Sequence, residues 1–109
     1  MQYKRTKGNE IEGVLDIFVA GDGGEVTGCN LLIHGNPEGL RSLAKLLLQI
    51  ADLNQEAVDD RYLPVGAREH YHLDPGFELS KSSSSVIVGR IDAKGTGAFY
   101  ARYIPKEGN

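Results

Sequence analysis

Residues able to do chemistry are few in this 109-residue chain, and the clearest are its three histidines. His70-x-His72 places two imidazoles on one side of an extended strand, a side that His34 can share. Imidazole is a zinc ligand, and catalytic zinc sites commonly take three protein ligands, for which Asp74 is close in sequence. No spaced carboxylate or cysteine completes a recognised set, so solvent-facing histidines are expected, with neither metal nor cofactor. Glu69 beside His70 suggests acid–base work, but neighbours in a strand point to opposite faces. Glu69 should side with Tyr71 towards the helix and pair with Arg68 or Arg90 at the sheet edge. Buried there, it would be a perturbed carboxylate.

Lys94-Gly95-Thr96-Gly97 has the flavour of a phosphate loop, yet such a loop needs G-x-x-x-x-G-K-[ST] between a strand and a helix. Here the order is reversed and no helical pattern follows. That segment and Gly21-Asp22-Gly23-Gly24 both read as turns using glycine's conformational freedom. Cys29 falls on an apolar strand face and reads as a small buried hydrophobe, since a catalytic thiol needs an exposed, electropositive setting. The Ser80–Ser85 tract reads as a solvated loop, with phosphorylation the alternative. No catalytic residue emerges, and an enzyme is not expected. The acidic segment gives a different signal. Asp52, Glu56, Asp59 and Asp60 stand against Arg61, a patch able to steer a basic partner. Tyr62 and Leu63 would supply the aromatic and aliphatic anchors. A soluble helix exit is the plainer alternative.

These groups must be positioned by the elements around them. Residues 11–20 alternate with period two, with Ile11, Leu15, Ile17 and Val19 on one parity, and read as a half-buried antiparallel strand. Residues 25–34 give a second strand, with Cys29, Leu31 and Ile33 towards the core. Asn36-Pro37-Glu38 starts a helix: an N-cap acceptor, a proline with preset φ, and an acid in the first turn. Leu40, Leu43, Ala44, Leu47, Ile50 and Ala51 continue it at helical spacing to about residue 53, and Leu46, Leu48 and Leu53 widen the stripe. Residues 68–73 alternate again, with Tyr71 and Leu73 inward. Asp74-Pro75-Gly76 turns the chain, and Phe77 and Leu79 pin the loop to the core. Residues 85–92 form a fourth strand of ambiguous parity. Phe99 to Ile104 is an edge strand or a packed tail.

One helix covers one face of one sheet. The expected architecture is therefore a single α+β domain spanning residues 1–109. It would be a two-layer sandwich: a mainly antiparallel sheet of four to five strands, in the order ββαββ, against one long amphipathic helix. The opposite face stays bare and carries Phe18, Leu32, His34, His70, His72 and, on one choice of parity, Arg90, a mixed surface suited to a partner.

Composition narrows the classes. Twelve Lys and Arg against fifteen Asp and Glu argue against direct nucleic-acid binding. One cysteine precludes an intramolecular disulfide framework and suits a reducing compartment. The polar start is not a signal peptide, and no run approaches the roughly 18 apolar residues of a membrane span. The cytoplasm is the expected location.

Three phrases carry a family resemblance. They are Gly35-Asn36-Pro37-Glu38-Gly39-Leu40-Arg41-Ser42-Leu43-Ala44, Glu69-His70-Tyr71-His72-Leu73-x-Pro75-Gly76-x-x-Leu79-Ser80, and Gly89-Arg90-Ile91-Asp92-Ala93-Lys94-Gly95-Thr96-Gly97. In order and spacing they resemble the thirty-second numbered family of bacterial polymorphic-toxin immunity proteins, over roughly residues 33–99. The resemblance implies a non-enzymatic protein that binds a cognate toxin, often a nuclease with a basic groove, and blocks it. It transfers no site residues. Surface logic selects two patches: Asp52, Glu56, Asp59, Asp60 and Tyr62 as the acidic one, and Phe18, His34, His70, His72 and Arg90 on the open sheet face. A homodimer through that face, or through an edge strand, is the alternative.

Overall fold

A computed structural model describes residues 10–20 and 30–107. The Gly21–Gly24 turn and Cys29 lie outside these residues. The elements in chain order are β1 (Leu15–Ala20), β2 (Asn30–Gly35), α1 (Pro37–Asp52), a short 3-10 turn (Gln55–Ala57), β3 (His70–Leu73) and β4 (Val86–Gly89).

The helix starts as its sequence dictates. Asn36 Oδ1 accepts from Gly39 N at 2.8 Å and also from Val14 N at 3.0 Å, so one side chain caps α1 and fixes the approach to β1. Gly39 is buried, and a Cβ at that position would overlap the Val14 carbonyl oxygen. Only glycine lets the first turn press against the backbone at Val14, just before β1. The buried helix positions are Gly39, Leu43, Leu46 and Ile50. The inward stripe is thus rotated from the expected one: Leu46 faces the core, while Leu40, Leu47 and Leu48 are 44%, 43% and 61% exposed.

Both sheets and the helix share one core of Ile11, Leu15, Ile17, Leu43, Leu46, Ile50, Tyr71, Leu73 and Leu79, with Val86 and Val88 packed against it. The parity of β4 is settled by this: its valines point inward and Ile87 outward. Phe77, expected to pin its loop, is exposed, and Leu79 alone does so. A smaller cluster of Leu53, Val58 and Leu63 sits beneath the acidic segment.

Among the described residues the expected single sheet of four to five strands is not found. Instead β1 pairs with β2 and β3 with β4, as two antiparallel two-stranded sheets. The reason lies in the serine tract. Ser80 N and Ser84 N donate to the carbonyls of Leu15 and Ile17 at 2.9 and 2.7 Å. Ser83 Oγ accepts from Ile17 N at 3.0 Å and donates to Ile17 O at 2.9 Å. A hydroxyl thus does for Ile17 what a neighbouring strand would do, and β1's second edge is closed by an irregular strap. The tract is part of the structure rather than a solvated loop, with Ser83 buried. Residues 99–104 form no strand; Phe99 makes one isolated bridge to Asp92.

Candidate functional site

The acidic segment is held from below by the third of the sequence phrases. Lys94 is only 4% exposed. Its Nζ donates to the carbonyls of Val58 and Leu63 at 2.5 and 2.8 Å and to Asp60 Oδ1 at 2.6 Å. A buried ammonium needs three acceptors, and this loop is folded to supply them. Gly95, at φ 84° in the left-handed region, turns its N–H to Glu56 Oε2 at 2.7 Å. Buried Gln55 completes the brace, donating to Asp92 O at 2.9 Å and accepting from Glu69 N at 2.8 Å.

On top of this brace, Asp59 accepts from the backbone N–H and the guanidinium of Arg61. Those bonds, the backbone one foremost, hold its carboxyl below the usual carboxylate range. Arg61 lies over the Tyr62 ring at 5.5 Å. The structure therefore brings Glu56, Asp59, Asp60 and Tyr62 together on one braced, exposed loop, with Asp52 at the end of α1 leading into it.

The open-face residues divide between the two sheets. Phe18 and His34 meet edge to face at 5.3 Å on β1–β2. Asp16 stands opposite His34 across that pair and accepts from the hydroxyls of Ser80 and Ser82 at 2.5 and 2.6 Å. These bonds lower its pKa. His70 and His72 meet at 5.0 Å on β3–β4, and both are exposed. Among the described residues no group of three or more His, Cys, Asp or Glu is placed to hold a metal ion.

Arg90 is committed inward. Its Nη1 donates to the carbonyls of Ile50 and Leu53 at 3.1 and 2.8 Å, where α1 leaves acceptors unmatched. Its Nε and Nη2 donate to the carboxylate of Asp92 at 2.8 and 2.7 Å. The guanidinium lowers the Asp92 pKa, and Asp92 raises that of Arg90.

A cleft of about 660 Å³ opens where the segment after Ala98 returns beside β3–β4, with Arg68, Glu69, His70, Tyr100, Arg102 and Tyr103 among its lining residues. Sequence reasoning missed the tail's share in it. The aromatic and basic alternation of Phe99-Tyr100-Ala101-Arg102-Tyr103 was the available signal. Glu69 does not make the expected pair with Arg68 or Arg90. Arg68 instead donates to the carbonyls of Ile91 and Ala98 at 2.8 and 2.7 Å.

The described residues thus form an α+β chain whose acidic loop is braced from below. The family model described as Immunity protein 32 matches residues 30–91, more than half of the chain, and the chain belongs to that family. No curated protein and no solved structure matches it. The matched span runs from β2 to just beyond β4, so it includes the capped helix, the acidic loop and the serine strap. No helix among the described residues is long and apolar enough to cross a membrane.

Proposed function

We propose that this chain neutralises a protein toxin in the cytoplasm by forming a complex with it, without catalysis. Family membership over residues 30–91 carries the reading. The acidic edge of Asp52, Glu56, Asp59, Asp60 and Tyr62 meets a basic surface on the toxin, such as the substrate groove of a nuclease. Two features support that choice. The bonds from Arg61 hold the Asp59 side chain in place on the loop, and the brace around Lys94 fixes the loop before binding, which lowers the ordering cost of association. Phe18, His34, His70 and His72 would provide the second contact, with Arg90 stiffening the helix end behind the acidic loop.

The test is co-purification with the toxin encoded beside this protein, followed by salt-dependent association kinetics. Asp60 is a poor probe, because reversing it would set a second cation against Lys94. Asp52→Lys combined with Asp59→Asn removes charge and leaves the Lys94 brace intact. The expected result is an association rate lowered about tenfold at low salt. Absence of any complex with that toxin would refute the reading.

A homodimer is the second reading. Val19, Leu31 and Ile33 share one face of β1–β2 and are 63%, 64% and 48% exposed. These residues would form the contact. Light scattering that shows a monomer at high micromolar concentration removes it.

A further inference from the structure

We propose that the outer edge of β2 pairs antiparallel with β2 of a second copy of this chain, joining two β1–β2 sheets into one four-stranded sheet centred on Ile33. The inference rests on the homodimer reading and names the edge, rather than the face, as the contact. In an antiparallel pair, alternate residues turn their N–H and C=O groups to the partner strand and the others turn them away. Asn36 N donates to Val14 O at 3.2 Å, which puts residues 14 and 36 in the bonded set. Leu15 opposite Gly35, Ile17 opposite Ile33 and Val19 opposite Leu31 then belong to the outward set. The strap agrees, since Ser80, Ser83 and Ser84 bond to the backbone of Leu15 and Ile17. On β2 the outward set is therefore Leu31, Ile33 and Gly35. Among the described residues nothing bonds to their outward N–H and C=O groups.

One edge of this sheet is thus sealed by the serine strap, and the other carries no protection. β2 has no proline, lysine or carboxylate, the usual means of keeping an edge from pairing. Its edge is also complementary to itself. A two-fold axis perpendicular to the sheet at Ile33 sets Ile33 beside its counterpart and Leu31 beside Gly35 of the second copy. Three bonded pairs result, at two hydrogen bonds each. Leu31 meets a gap there, because Gly35 has no side chain. A Cβ at Gly35 would stand 3.2 Å from Leu40 Cγ, so the glycine leaves Leu40 open on the face that Leu31 shares. Leu31, Ile33 and Leu40 are all exposed in the single chain, and the pairing covers them together. A foreign strand would need the same large residue at the same place; the second copy already has it. A six-residue edge with three aliphatic side chains covers less than the ~800 Å² per partner of a standard interface, so the dimer is expected to be weak and reversible.

The full-length chain is followed by sedimentation equilibrium over a concentration series reaching high micromolar. A reversible monomer–dimer equilibrium is expected. Ile33→Lys sets two cations across the axis and should raise the dissociation constant at least about tenfold. Its urea midpoint should match wild type, because Ile33 is exposed in the single chain. Cross-linking fixes the geometry, since bonded residues on facing strands have Cα atoms about 5.5 Å apart, within disulfide reach. In a Cys29→Ser background, Ile33→Cys should cross-link to its counterpart on mild oxidation. Val19→Cys, on β1 and three strand spacings from its own counterpart, should not. A dimer that ignores Ile33→Lys and cross-links through Val19 would mean sheets stacked face to face; the homodimer reading would survive and this proposal would fall. A monomer at every concentration would remove both.

Discussion

The acidic loop and the outer sheet faces look equally exposed in the sequence, and the structure treats them differently. The loop at 55–63 rests on a buried lysine and a glycine N–H that reach in from distant parts of the chain, and its own buried Gln55 reaches out to Asp92 and Glu69. The histidines at 70 and 72 stand on a short strand and touch each other, with one local contact from His70 Nδ1 to the Arg68 carbonyl at 3.2 Å. Charge in a segment is therefore no measure of how firmly it is held. The residue that matters most to the acidic surface is Lys94, which is nearly inaccessible to any partner.

That contrast can be broken in order of size. Lys94→Met should be the most damaging change, because it strips the donor from the Val58 and Leu63 carbonyls and leaves Asp60 unpaired. A loss of about 3 kcal/mol is expected by urea unfolding, and loss of under about 0.5 kcal/mol would show that the brace is ornamental. Arg90→Leu comes next, at about 2 kcal/mol, since the carbonyls at the end of α1 and the Asp92 carboxylate lose their partner together. It should leave the cap at Asn36 untouched, which amide exchange along α1 would report as opening from the C-terminal end only.

A pH series separates the two regions on a smaller scale. Asp16 and Asp92 both have pKa values below the ordinary carboxylate range. A depressed folded-state pKa contributes stability above the unfolded value, about 3.9, and loses it as pH falls through the folded value. Wild-type stability should therefore drop steepest below about pH 4. Asp16→Asn keeps an acceptor for the Ser80 and Ser82 hydroxyls but removes the titration, so its acid limb should be shallower. The smallest effect belongs to the outer face. His70→Ala and His72→Ala should each fall within about 0.5 kcal/mol of wild type, because neither side chain is buried.

Much of the frame was legible because local rules govern it. Asn36-Pro37-Glu38 announces the helix, the alternation at 70–73 separates Tyr71 and Leu73 from the histidines, and the glycines at 95 and 97 mark turns with positive φ. The failures share a cause. The serine strap replaces a strand by means of one hydroxyl, Lys94 is buried by acceptors more than thirty residues away, and the cleft needs the tail to return beside β3–β4. None of these has a local period. They also explain the family phrases: Gly39 admits Val14, Leu79 and Ser80 seat the strap, and Arg90, Asp92 and Lys94 close the helix end and brace the acidic loop. All three phrases contain residues that build the fold, and the acidic residues lie between them.

The central claim is that this braced acidic edge is the toxin-facing surface, and association kinetics with the cognate toxin test it most directly. Wild type, the Asp52→Lys/Asp59→Asn variant and the His70→Ala/His72→Ala variant are compared across a salt series. The account predicts that only the acidic variant loses association rate and salt dependence, while the histidine variant stays within about twofold of wild type. An unchanged acidic variant beside a histidine variant that no longer binds would place the interface on the outer sheet face and contradict the account.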